Sequence, residues 1–189
     1  MDGLLVALSY LVGSLAFGVI AGLLRGTDIR RADLPGGSGV FRQLGPAWGV
    51  AVALLDMAKG AVVAYLSVFA EHPWTVPLMA LGVVAGHTWP LYFGFRGGGG
   101  IAPTLGFFLY LRPGPTLAAL GVGLLGVLLY YLAYWRHTRR GIYPIPFGAI
   151  WGYAYLLYAL RTDPKALSAV LLVALAVLAR GLQILMRRR

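Results

Sequence analysis

The sequence predicts an all-α integral membrane protein, a bundle of about seven transmembrane helices with one short or broken, N-terminus outside and C-terminus inside. Three observations predict it. Hydrophobic residues make up 59% of the 189 positions and charged residues only 12%, whereas a soluble globular chain carries about 25% charged residues. Mean hydropathy is +0.77, and apolar runs long enough to cross a bilayer recur along the chain. The 16 Lys and Arg outnumber the 6 Asp and Glu, yet they sit in the short breaks between apolar runs. That placement argues against nucleic acid as a partner and for a lipid membrane whose spans they flank.

The first run covers 3–24. Met1-Asp2-Gly3 offers no positive n-region and the run exceeds a signal peptide's apolar core, so it reads as the first span. Further spans are expected at 47–70, 74–93, 115–135, 142–160 and 166–186. Residues 101–111 are too few to span and pair with the glycine loop before them as a partial helix, tolerable only where its backbone lies buried in protein. With the N-terminus outside, Arg25, Arg30, Arg31, Arg42, Arg96, Arg136, Arg139, Arg140 and Arg187 to Arg189 fall inside. Only Arg112, Arg161 and Lys165 fall outside. This asymmetry sets the orientation of what reads as a single multi-pass inner-membrane domain, 1–189.

Several residues predict close helix packing. Gly82 and Gly86 form a GxxxG pair, and Gly121, Gly123 and Gly126 thin another helix so that backbones can approach. Trp48, Trp74, Trp89, Trp135 and Trp151 fall mostly near span ends, as interfacial aromatics do. Asp56 and Lys59 share one helix face, the spacing of an ion pair that orients the second span. Arg180, near the end of the last span, is expected to snorkel to the interface. There is no cysteine and there are only three histidines, with no HxxxH or HExxH spacing. Neither a metal site nor a cofactor is therefore expected.

Chemistry is expected at three cytoplasmic loops. The first, RGTDIRRADLPGGSGVFRQLGPAWG at 25–49, combines glycines whose N–H groups can converge on an anion with Arg30, Arg31 and Arg42. It equally reads as a flexible connector whose arginines only set topology. No Lys-Ser or Lys-Thr follows its glycines, so it is not a Walker loop. The second, GHTWPLYFGFRGGGGIAPTLG at 86–106, places Arg96 and the run Gly97, Gly98, Gly99 and Gly100 at the mouth of the following helix, whose dipole favours an anion. His87 reads either as a proton carrier or as a helix-packing hydrogen bonder. The third joins Arg136, Arg139 and Arg140 to Tyr143, Pro144 and Pro146, whose prolines are expected to break the start of the sixth span.

These motifs, with YLVGSLAFGVIAGLLRGTDIR at 10–30 and LLDMAKG at 54–60, resemble the bacterial acyl-phosphate:glycerol-3-phosphate acyltransferases. The resemblance covers the N-terminal half or slightly more and is closest in the second loop. It implies that the three cytoplasmic loops form the active site and that an acyl group passes from acyl-phosphate to glycerol-3-phosphate, giving lysophosphatidic acid for phospholipid synthesis without coenzyme A or metal. It assigns phosphate binding to Arg42 and Gly97–Gly100. Arg96 and Arg139 are expected to add charge, Ser38 to position the acceptor and His87 to support the second loop. The chain departs from the pattern at Gly99, where the resemblance expects lysine, at Pro103, where it expects threonine, and at GIYPIPFG, 141–148, which replaces a serine-bearing motif. Arg180 and Gln183 stand where His and Asn are expected. A catalytically degenerate member that binds anionic lipid or a partner protein is the alternative, and a small anion transporter is a third reading.

Overall fold

The computed structural model describes residues 1–187; Arg188 and Arg189 of the charge count lie outside the described residues. No strand occurs among the described residues. Five helical stretches are long and apolar enough to cross a bilayer: Asp2–Leu24, Pro46–Phe69, Thr75–Phe93, Pro113–Thr138 and Pro164–Met186. The shorter helices Ile101–Leu111 and Pro144–Ala159 occupy the two remaining segments. All the apolar segments read from the sequence are helical, and the short one is short as expected.

The first segment is not one helix. α1 (Asp2–Gly13) stops and α2 (Phe17–Leu24) starts after a break at 14–16. Ser14 Oγ donates to the Tyr10 carbonyl (2.9 Å) and accepts from the Leu91 N–H (3.2 Å). Lys59 Nζ donates to the carbonyls of Gly13 (2.9 Å) and Leu15 (2.8 Å). A break inside lipid leaves carbonyls that must find donors within the protein. The local run shows no trace of it because the donors come from elsewhere in the chain.

The first cytoplasmic loop holds a turn of 3-10 helix at Ile29–Arg31 and then α3 (Gly37–Leu44). α4 (Pro46–Leu66) follows, with proline in its first turn, then α5 (Thr75–Thr88), α6 (Ile101–Leu111) and α7 (Pro113–Tyr130). α7 continues through a π-helical turn, Tyr131–Trp135, and a last turn, Arg136–Thr138. α8 (Pro144–Ala159) and α9 (Pro164–Arg187) close the bundle. Pro144 and Pro146 do not break α8. They form its first turn, where a missing N–H costs nothing, and the irregular stretch lies ahead of them at 139–143.

Helices meet at backbone contact where small residues allow it. A Cβ on Gly60 of α4 would strike the Pro103 carbonyl, and one on Gly106 of α6 would strike the Met57 main chain, so α4 and α6 touch along their axes. Gly82 and Gly86 receive α1 at Ser9 and Tyr10, and Gly123 and Gly126 face Gly148 and Trp151 of α8. Gly121 differs from expectation, because it faces open space. Phe107, Phe108, Met79, Val83 and Val84 fill the interior, while Leu124, Leu128, Leu171, Leu175 and Leu178 stay exposed for lipid.

Polar contacts mark the two ends. At one end the Asp2 carboxylate accepts the N–H groups of Glu71 (3.1 Å) and His72 (3.0 Å), and Arg112 pairs with Asp163. The three basic loops gather at the other.

Candidate active site

α3 and α6 both begin at glycines, Gly36 and Gly100 being their N-caps. The first N–H groups of a helix have no intrahelical acceptor, and the helix end carries roughly half a positive charge. The fold brings these two ends together. A Cβ on Gly36 would lie 3.9 Å from Gly98 Cα, and Ser38, half-buried, sits in the first turn of α3. The first and second loops thus form one glycine-lined surface with N–H groups from two helix starts, which suits an anion.

The second loop is held from beneath. Gly97 N–H donates to the Thr88 carbonyl (3.1 Å) and Gly98 N–H to the His87 carbonyl (3.0 Å). Gly98 sits so close on the His87 ring that a Cβ there would strike Nε2. Gly100 takes the left-handed conformation, φ +88°, which admits the chain into α6. His87 is only 2% exposed, with Nδ1 3.0 Å from Lys59 Nζ. Its ring lies beneath the loop with Gly98 resting on it, the supporting place among those the sequence leaves open for His87. Thr88 was not singled out by sequence. Its hydroxyl is buried without a hydrogen-bond partner among the described residues and points at Gly100.

Arg180 corrects a second expectation. It does not snorkel: the residue is 4% exposed, and Nη2 donates to the Gly97 carbonyl at 2.7 Å. Gln183 Oε1 accepts from Trp89 Nε1 (3.1 Å) and lies 3.5 Å from Arg180 Nη1. One turn of α9 therefore grips the second loop at Trp89 and Gly97. The sequence signal was the pair Arg180 and Gln183, three residues apart on an otherwise apolar helix.

The loop arginines are placed differently from the phosphate-binding set expected of them. Arg42 is latched to Asp33 by Nε (2.7 Å) and Nη2 (2.8 Å) and stacks on Tyr143 with its guanidinium 4.5 Å from the ring centre. The bond to Asp33 holds its proton more firmly than usual, and the stack joins the first loop to the third. Arg30 pairs with Asp28 (2.8 Å) and donates to the Phe93 carbonyl (2.8 Å), which joins the first loop to the second. Hydrogen bonding from Arg30 keeps the Asp28 carboxyl below its ordinary value. Arg96 is exposed and rims an open depression with Arg30, Arg31 and Tyr92. Arg139, at φ +52°, is exposed and makes no side-chain hydrogen bond or ion pair among the described residues. Of the expected site, the structure gathers Ser38 and Gly97–Gly100, ties Arg42 to Asp33, and leaves Arg96 and Arg139 exposed.

A cavity of about 400 Å³ begins beside this surface, at Ile101, and runs between α6, α7 and α8 past Thr104, Ala119, Gly148 and Leu156. Its polar groups are turned away from the space. Tyr153 OH donates to Thr104 Oγ1 (2.8 Å), and the Thr116 hydroxyl donates to the Arg112 carbonyl (2.7 Å). What remains is an apolar slot that starts where the glycine loop ends.

A protein-family model described as glycerol-3-phosphate acyltransferase matches residues 3–184. The chain is 44% identical over 146 residues to a glycerol-3-phosphate acyltransferase 2 of Deinococcus radiodurans, covering 76% of this chain and 74% of the relative. It is 37% identical over 130 residues to a glycerol-3-phosphate acyltransferase of Aquifex aeolicus, covering 67% of each. Its fold is similar to the crystal structure of PlsY, an integral membrane glycerol 3-phosphate acyltransferase, in its glycerol 3-phosphate form. The TM-score is 0.80 at 26% identity, over 98% of this chain and 90% of that one. The lysophosphatidic acid form of the same protein gives a TM-score of 0.81 at 25% identity with the same coverage.

Proposed function

Because the chain belongs to the glycerol-3-phosphate acyltransferase family and is a multi-pass bacterial membrane enzyme of that activity, we propose that its acyl donor is an acyl-phosphate whose phosphate is held by the joined starts of α3 and α6. The observation that carries this reading is the continuity of an anion-binding surface with an apolar slot, Gly100 closing the one and Ile101 opening the other. An acyl-phosphate has those two parts in that order.

On this reading the acyl chain lies between α6, α7 and α8, and the phosphate meets N–H groups of Gly37, Ser38, Gly99 and Gly100, the Gly98 N–H being held by the His87 carbonyl. Ser38 orients the acceptor. The first hydroxyl oxygen of glycerol-3-phosphate attacks the acyl carbon, the bond from that carbon to the phosphate oxygen breaks, and the hydroxyl proton leaves with the phosphate. No side-chain base is required. The nearby carboxylates Asp28 and Asp33 are bonded to Arg30 and Arg42, and His87 is covered by Gly98. Fixed N–H donors aimed at the developing charge account for the acceleration, a single such donor being worth about 100- to 1,000-fold.

The test is reconstitution in liposomes with glycerol-3-phosphate and either acyl-phosphate or acyl-coenzyme A. Lysophosphatidic acid is expected from the first donor and not the second. Product from acyl-coenzyme A alone would overturn the donor assignment.

A further inference from the structure

The polar centre of the bundle is used by none of the steps above. Asp56 and Lys59 of α4 are 0% and 5% exposed, with Nζ 2.8 Å from Asp56 Oδ1. Charges in a span are costly, and an ion pair is commonly replaceable by apolar packing without loss of stability. Helix orientation alone therefore gives no reason to keep this one.

The contacts of Lys59 give a reason. Its ammonium touches three separate pieces of chain. It donates to Gly13 and Leu15 at the break in the first span, pairs with Asp56, and lies 3.0 Å from His87 Nδ1. Asp56 Oδ1 is itself 3.3 Å from the same nitrogen. The other side of the His87 ring is the surface on which Gly98 rests, and the His87 carbonyl accepts the Gly98 N–H. The same break is stitched to the start of the second loop by Ser14 to Leu91 and by the Tyr10 hydroxyl, which donates to the Trp89 carbonyl (2.8 Å).

We propose that Lys59, acting through His87, is a positioning residue that fixes the height and register of the Gly97–Gly100 loop against the break in the first span. It touches no substrate. The break supplies the carbonyls that hold the ammonium, the ammonium and Asp56 hold the imidazole, and the imidazole, on which Gly98 rests, sets where the N–H groups of Gly99 and Gly100 point. This inference rests on the reading that the loop binds the donor's phosphate.

Two variants test it in liposomes. Asp56→Asn with Lys59→Met removes both charges together, so no uncompensated ion is left buried. Lys59→Arg keeps the charge but replaces a compact ammonium with a planar fork. The proposal expects KM for acyl-phosphate to rise by about 10- to 100-fold, as misplacement of a binding group does, with KM for glycerol-3-phosphate unchanged. A merely structural defect lowers the active fraction and leaves both KM values alone. If the double variant does not fold, Lys59→Arg decides. Amide hydrogen exchange over Gly97–Gly100, read without turnover, is expected to quicken in the folded variant. This arm stays informative even if the parent proves inactive with acyl-phosphate. A folded variant with unchanged KM for acyl-phosphate in an active parent overturns the proposal, as does unchanged exchange in the loop.

Discussion

Arg180 Nη2 donates to the Gly97 carbonyl at 2.7 Å, across 83 residues of chain. The bond supports a carbonyl that lies outside any helix and would otherwise be buried without a donor. Hydrogen bonds to charged groups contribute about 1.5–3 kcal/mol. Arg180→Ala is therefore expected to lower kcat/KM by about 10- to 100-fold, at about 1.4 kcal/mol per factor of ten. Arg180→Lys should fall between that variant and the parent. Initial rates at low acyl-phosphate check this; an Arg180→Ala enzyme as fast as the parent would contradict it.

Gly98 and Gly99 are neighbours with opposite surroundings. A Cβ on Gly98 meets the His87 ring, whereas one on Gly99 meets nothing within 4 Å. Gly98→Ala is expected to displace the loop and cost about 100-fold or more in turnover. Gly99→Ala is expected to fold with the parent's melting temperature, so any activity it loses reports contact with substrate. Thermal melts in detergent beside turnover assays separate the two.

This pair also shows how far the sequence could be read. Spans, the short α6 and the three basic loops follow from hydropathy, length and charge, because a bilayer imposes those patterns locally. The glycine run was visible as a run. Which glycine is crowded and which is open depends on His87, ten or more residues away, and on how α5 meets α6. The break after Gly13 was hidden for a related reason: its donors, Lys59 and the Leu91 N–H, come from other spans. Arg180 was misread because snorkelling and a buried hydrogen bond need the same residue at the same depth. Only the Gly97 carbonyl distinguishes them. Arg42 was legible as a charge beside the glycines, whereas its pairing through Nε and Nη2 with Asp33, nine residues earlier, was not. Family membership in turn favours the enzyme over the degenerate alternative.

The slot between α6, α7 and α8 sets an expected chain length. From Ile145 to Leu156 along α8 is about 16 Å at ~1.5 Å per residue, room for about 12 carbons at ~1.3 Å each in an extended chain. Ala119→Phe fills its far part. The variant is expected to favour shorter acyl-phosphates than the parent, with little change for the shortest donors. A competition assay with mixed chain lengths reads the shift, and an unmoved profile would exclude the slot as the acyl site.

Asp163 begins α9. Its Oδ1 accepts the Ala166 N–H (3.0 Å) and its Oδ2 meets Arg112. These contacts, the Ala166 bond first, hold its carboxyl below the usual range. The sign follows: a lowered folded value stabilises above the unfolded value of about 3.9 and is lost as pH falls through the folded one. Asp163→Ala should cost about 1 kcal/mol at neutral pH as a lost helix cap, the part-exposed Arg112 contact adding little. The gap in melting temperature between parent and variant should narrow below about pH 4. A gap that is constant with pH would contradict the assignment.

The central claim is that the donor's phosphate rests where α3 and α6 begin, and its most direct test is an experimental structure with a non-transferable acyl-phosphonate bound. The account predicts phosphonate oxygens within hydrogen-bond distance of N–H groups of Gly37 or Ser38 and of Gly99 or Gly100, with the alkyl chain between α6, α7 and α8. A phosphonate seated instead among Arg136, Arg139 and Arg140, or in the depression rimmed by Arg31 and Arg96, would contradict it.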